Sequence, residues 1–124
     1  DKRRTSGSDS VIEHLIGNVT DKNVLMVDDL IATAGTVCNA AEVCKQAGAR
    51  SVCVAATHPV LCGPAVERLK AAPIDHLLVT DTIPVPPEVT RELKKLEVLS
   101  VAELLGEAIR RIHRNESVSS LFLT

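Results

Sequence analysis

The stretch VLMVDDLIATAGTV, residues 24–37, changes character halfway, and its reading decides the fold. Four apolar residues are followed by the adjacent acids Asp28 and Asp29, and then by a run of small and hydroxyl-bearing residues around Gly35. A short apolar run reads as a buried strand, expected over residues 23–27. Behind the loop, residues 36–49 place Val37, Ala40, Ala41, Val43, Cys44 and Ala47 at helical spacing and close on Gly48, so strand, loop and helix follow in order. A loop with Gly35, the hydroxyls of Thr33 and Thr36 and a helix N-terminus behind it presents amide donors and the positive end of the helix dipole. A phosphate fits there. The loop is neither GxxxxGK[ST] nor GxGxxG, so it is a different phosphate device from those of nucleotide and dinucleotide folds. Two carboxylates beside it would repel a phosphate, so they are expected to face another part of the ligand, either hydroxyl groups or a magnesium ion. A phosphorylated sugar has both ends.

The strand-to-helix pattern repeats outward from this stretch. Strands are expected over residues 51–57, 76–80 and 96–101, with a helix at 63–72 and a proline-rich, loop-like segment at 81–93. A third helix is expected from Ser100, with Glu103 three residues on to complete a capping box. Alternation of this kind gives an α/β fold with a mostly parallel sheet flanked by helices, whose ligands gather at the carboxyl ends of the strands. Residues 11–19 read as extended, Asp21 and Lys22 as a turn, and residues 1–10, DKRRTSGSDS, as an exposed mobile segment. In the tail, Val118, Leu121 and Leu123 suit an edge strand.

At 124 residues the chain is sized for one domain. Its composition is 45% hydrophobic and 24% charged, with a net charge of −2 that offers no general attraction to nucleic acid or an anionic membrane. One Phe and no Trp or Tyr leave Val, Leu, Ile and Ala to build the core, which suits a parallel sheet covered by helices. Cys38, Cys44, Cys53 and Cys62 are spaced by five, eight and eight residues with no CxxC, so they read as reduced core residues rather than metal ligands. Free thiols, with no signal peptide and no membrane-length apolar run, point to the cytoplasm. The chain opens on Asp1 and is therefore expected to be a fragment, incomplete at its N-terminus. His58 could reach the loop from the end of its strand, whereas His14, His76 and His113 read as surface or structural residues.

The stretch VLMVDDLIATAGT resembles the phosphoribosyl-binding signature of type I phosphoribosyltransferase folds. Beyond it, ATHPVLCGPAVERL, LLVTDTIP and SVAELLGEAIRRIHRNESVSSLF are similar, in order and spacing, to the C-terminal half of the ribose-phosphate pyrophosphokinase (5-phosphoribosyl-1-pyrophosphate synthetase) family. The resemblance covers essentially the whole chain and implies one C-terminal phosphoribosyltransferase-like domain over residues 1–124, with 117–124 as its tail. That family moves a pyrophosphoryl group from ATP to the 1-hydroxyl of ribose 5-phosphate, with magnesium, releasing AMP. The resemblance implies that Asp28 and Asp29 hold the ribose hydroxyls and that Thr33, Ala34, Gly35 and Thr36 cradle the 5-phosphate. It places Lys2 and Arg4 in a flexible catalytic loop, where they stabilise the transferring phosphates. Ser117, Ser119 and Phe122 match a tail that reaches a regulatory site for phosphate or ADP at a subunit interface. Magnesium ligands and most of the ATP site are implied to lie outside this chain, and the assembly to be a hexamer built from dimers. Family members usually carry a third Asp in the loop, where this chain has Ala32. The alternatives are a non-catalytic regulatory subunit of the synthetase and a base-specific phosphoribosyltransferase.

Overall fold

The computed structural model describes residues 17–122. Lys2 and Arg4, the segment 1–10 and most of the extended segment expected at 11–19 lie outside the described residues. Four parallel strands, β1 (Asn23–Ile31), β2 (Ser51–Pro59), β3 (His76–Thr80) and β4 (Leu96–Leu99), form one sheet in the order β1-β2-β3-β4. Between them run α1 (Gly35–Gln46), α2 (Ala65–Ala71) and α3 (Pro87–Glu92), and α4 (Ala102–His113) follows the last strand. The α/β fold with a parallel sheet flanked by helices is the one the alternation of patterns predicts.

Strand order explains where the core lies. Each crossover steps in the same direction along the sheet, and parallel crossovers share one hand, so the three connecting helices fall on one face. The strands alternate accordingly: Val52, Val54, Ala56, Leu77 and Val79 are buried together with Val37, Ala41 and Cys44 of α1, Ala65 and Leu69 of α2, and Leu93. The opposite face lacks that cover, and Leu25 and Val27 of β1 are 63% and 75% exposed. The sheet is therefore covered on one face among the described residues.

Several boundaries differ from the sequence reading for identifiable reasons. β1 runs through both aspartates to Ile31, because pairing with β2 continues to Pro59 beyond the apolar run. In the proline-rich segment Pro87 occupies the first turn of α3, where its missing N–H costs nothing. The capping box does not form. Helix α4 has Val101 at its N-cap with no side-chain bond, Ser100 Oγ accepts from Ala102 N–H at 3.2 Å, and Asp81 Oδ1 accepts from Val101 N–H at 2.8 Å. That bond is the main cause holding the Asp81 carboxyl below its ordinary range. The tail forms a 3₁₀ turn at Ser119–Leu121 instead of an edge strand. Cys44 is buried and all four thiols are free, but Cys62 is exposed and is not a core residue.

Candidate functional site

The site is built at the carboxyl end of β1, at the border of the described sheet. Asp28 pairs with Ala56 and Leu30 with His58 across the β1–β2 ladder, so both acids lie in the last turns of the strand before it enters the loop. Asp28 Oδ1 accepts from Asp29 N–H and Asp29 Oδ1 from Leu30 N–H, each at 2.8 Å. These short bonds fix the direction of both carboxylates.

The chain then turns sharply. Ala34, buried at the helix N-cap, has φ 65 and ψ 8, a left-handed conformation rare for a residue with a Cβ, and Gly35 opens α1. No side chain caps this helix and no acid stands in its first turn. Helix geometry leaves the first-turn amides outside the intrahelical ladder, at the positive end of the helix dipole. The loop carbonyls are engaged elsewhere: Ile31 O accepts from Leu61 N–H and Ala32 O from Cys62 N–H at 3.0 Å, and Ala34 O accepts from Cys38 N–H at 3.1 Å. Thr33 O accepts from Arg68 Nη1 at 3.2 Å.

A cavity of about 380 Å³ opens here, lined by residues from Asp28 to Val37. It brings together six of the residues singled out in sequence: Asp28 and Asp29 at one part, and Thr33, Ala34, Gly35 and Thr36 at another. Ala32 also lines it, half-buried. A second, apolar hollow of about 190 Å³ lies on the uncovered sheet face, where Val27, Ala55, Leu78 and Leu99 contribute, and Asp28 borders both. An arrangement of amides and hydroxyls facing two carboxylates across one cavity can hold an anion and a set of hydroxyls on the same small molecule.

Other groups are placed nearby without joining the lining. His58 Nδ1 lies 2.8 Å from Thr82 Oγ1, whose own hydroxyl donates to Thr57 O at 3.2 Å. The direction of the His58–Thr82 bond follows the imidazole tautomer, since a hydroxyl can donate or accept. Cys38, in the first turn of α1, is no thiolate nucleophile: burial pushes its thiol up, and the opposing Lys95 and Arg68 charges are the smaller causes. Among the described residues no group of three or more His, Cys, Asp or Glu is placed to hold a metal ion. Nor is any described helix long and apolar enough to cross a membrane.

The tail residues form a separate cluster. Ser117 Oγ and Ser119 Oγ are 2.8 Å apart, and Ser119 N–H donates to Ser117 Oγ at 3.1 Å. Arg111 ties this turn to α4, donating to Ser117 O at 3.3 Å and to Ser120 Oγ, and it also pairs with Glu107 at 2.8 Å. Bonds from Arg110 and then Arg111 pull the Glu107 carboxyl down to about 2. Phe122 is 69% exposed. Lys2 and Arg4 lie outside the described residues, so their distance from the cavity is not part of the geometry. Sequence reasoning missed Arg68 and the segment 61–64 behind the loop. A charged residue on an amphipathic helix reads as solvated surface, and no spacing rule marks it as a loop contact.

Comparison with known proteins follows the same residues. Residues 10–123 match the family described as the phosphoribosyl synthetase-associated domain. The chain is 53% identical over 123 residues to a ribose-phosphate pyrophosphokinase of Rhodopirellula baltica, covering 98% of this chain and 38% of that protein. It is 48% identical over 123 residues to a ribose-phosphate pyrophosphokinase of Campylobacter jejuni, covering 99% and 38%. The chain thus spans 38% of the length of these curated relatives. Its fold is similar to a crystal structure of phosphoribosylpyrophosphate synthetase from Mycobacterium smegmatis, with a TM-score of 0.77 and 37% identity over 81% of this chain and 33% of that one.

Proposed function

This chain belongs to the phosphoribosyl synthetase-associated domain family, and from that premise we propose that it is the C-terminal, ribose-5-phosphate-binding half of an enzyme making 5-phosphoribosyl 1-pyrophosphate. The single observation that carries this reading is the cavity from Asp28 to Val37, which sets two carboxylates and an uncapped helix N-terminus on one ligand-sized space. The first-turn amides, with the Thr33 and Thr36 hydroxyls, take the 5-phosphate, and Asp28 and Asp29 accept from the ribose hydroxyls. Holding the sugar at both ends fixes its 1-hydroxyl for attack on the β-phosphorus of ATP. The new bond forms between that oxygen and the β-phosphorus, the bond from the β-phosphorus to the α-phosphate bridge breaks, AMP leaves with the bridging oxygen and its electron pair, and the proton of the 1-hydroxyl passes to solvent. Transfer of this kind depends on positioning and on cations placed against developing charge. Lys2 and Arg4 supply those cations. We place the ligands of magnesium, and most of the ATP site, outside this chain. Ser117, Ser119 and Phe122 contribute to a site for phosphate or ADP in a dimer-based hexamer, in the cytoplasm.

Separation of the sugar site from the nucleotide site has a direct consequence. The 124-residue chain binds ribose 5-phosphate but forms no AMP when mixed with ATP, magnesium and ribose 5-phosphate. Chromatographic assay for AMP checks this, and clear turnover by the chain alone would show that the nucleotide site lies within it.

A further inference from the structure

We propose that Arg68 is a positioning residue for the phosphate loop: its guanidinium holds the Thr33 carbonyl away from the cavity, so that the amides of the loop stay aimed at the ligand. The proposal rests on the ribose 5-phosphate reading of the cavity. Ala34 sits in a left-handed conformation that carries a steric cost of about 1 kcal/mol or more for a residue with a Cβ. Such a turn persists only if its surroundings hold it.

The holding contacts come from one segment. The consecutive carbonyls of Ile31, Ala32 and Thr33 accept, in turn, from Leu61 N–H, Cys62 N–H and Arg68 Nη1. The cavity lies along the same residues, so these three bonds orient the loop's peptide planes with respect to it. Two of the donors are backbone groups, while the third, at the residue just before the left-handed Ala34, comes from a side chain. It is also a charged donor, the stronger kind of hydrogen bond.

Gly35 supplies the second part of the argument. Its φ does not lie in the left-handed range, yet a Cβ there would meet Arg68 Nη1 at 3.2 Å and Cζ at 4.0 Å. A glycine at a helix start without a φ requirement gives up helix propensity, and the guanidinium standing close to where a side chain would be is a reason for it. Arg68 therefore bonds the residue before Ala34 and occupies the space a side chain after it would need.

Steady-state kinetics of the full-length enzyme carrying this sequence tests the role. Arg68→Met, which keeps the aliphatic stem and removes the donors, raises the KM for ribose 5-phosphate about tenfold and leaves the KM for ATP and the melting temperature unchanged. Arg68→Lys, which restores one charged donor, recovers part of that loss. Gly35→Ala, by crowding the guanidinium, raises the same KM, and the double variant Arg68→Met with Gly35→Ala is less than additive because both changes act through one contact. An unchanged ribose 5-phosphate KM in Arg68→Met would overturn the role. A parallel rise in both KM values with a lower melting temperature would also overturn it, in favour of a plain fold contact. A wild-type enzyme whose rate does not depend on ribose 5-phosphate would remove the underlying reading and this role with it.

Discussion

Asp28→Asn combined with Asp29→Asn weakens ribose 5-phosphate binding to the chain by roughly a hundredfold, while the affinity for inorganic phosphate stays the same or rises slightly. Hydroxyl groups donating to carboxylates form charge-assisted bonds, and losing that assistance at two positions costs on the order of 1.5 kcal/mol each. Asparagine is nearly isosteric and keeps an Oδ1 acceptor, so the local bonds from Asp29 N–H and Leu30 N–H have a replacement and β1 keeps its ending. Inorganic phosphate occupies only the loop, where the two carboxylates contribute repulsion and nothing else. Calorimetric titration with the two ligands separates these effects. Equal losses for both would mean that the acids shape the loop and do not contact the sugar.

Leu77→Ala destabilises the chain by about 2–5 kcal/mol in chemical denaturation, a large part of the stability of an ordinary domain. Leu77 is fully buried in β3, paired in register with Val54 and Leu96, beneath the helices of the covered face. Truncating it leaves a cavity among neighbours already packed around it, and β3 is an inner strand with little freedom to collapse inward. The same change on the other face has almost no effect: Val27→Ala, at a side chain 75% exposed, moves stability by less than about 0.5 kcal/mol. The contrast measures the one-sidedness of the core directly, and comparable losses at the two positions would contradict it.

The sheet and its order of elements were legible because the apolar runs are short and separated by small-residue turns, and β3 begins and ends where its five residues say it should. The loop was legible for a different reason. Small and hydroxyl-bearing residues mark the passage from β1 into α1, with Thr33 before the helix and Gly35 and Thr36 as its first residues. What the sequence hid depends on tertiary partners. β1 continues through two charged residues because a neighbouring strand is there to pair with them, and Ser100 fails to cap α4 because Asp81, nineteen residues earlier, takes the adjacent amide. The bare face follows from the strand order, which no periodicity along the chain encodes. Arg68 is the sharpest case: thirty-five residues from Thr33, it looks like any solvated arginine until the fold sets it against the loop.

Ala32 stands within the lining of the cavity. Its carbonyl is held by Cys62 N–H at 3.0 Å and its side chain lines the cavity between the acids and the phosphate loop. The position usually occupied by a third acid in the similar family therefore lies on the cavity wall, and Asp28 and Asp29 are the acids among its lining residues.

The central claim is that one small molecule spans the cavity from the acids to the helix N-terminus. Titration of the isotopically labelled chain with ribose 5-phosphate, followed through backbone amide resonances, tests it most directly. Saturable shifts are expected at Asp28, Asp29, Gly35 and Thr36 that share one dissociation constant, with inorganic phosphate reproducing only those at Gly35 and Thr36. Shifts confined to the apolar hollow at Val27, Ala55, Leu78 and Leu99, or no saturable shift at the loop, would contradict it.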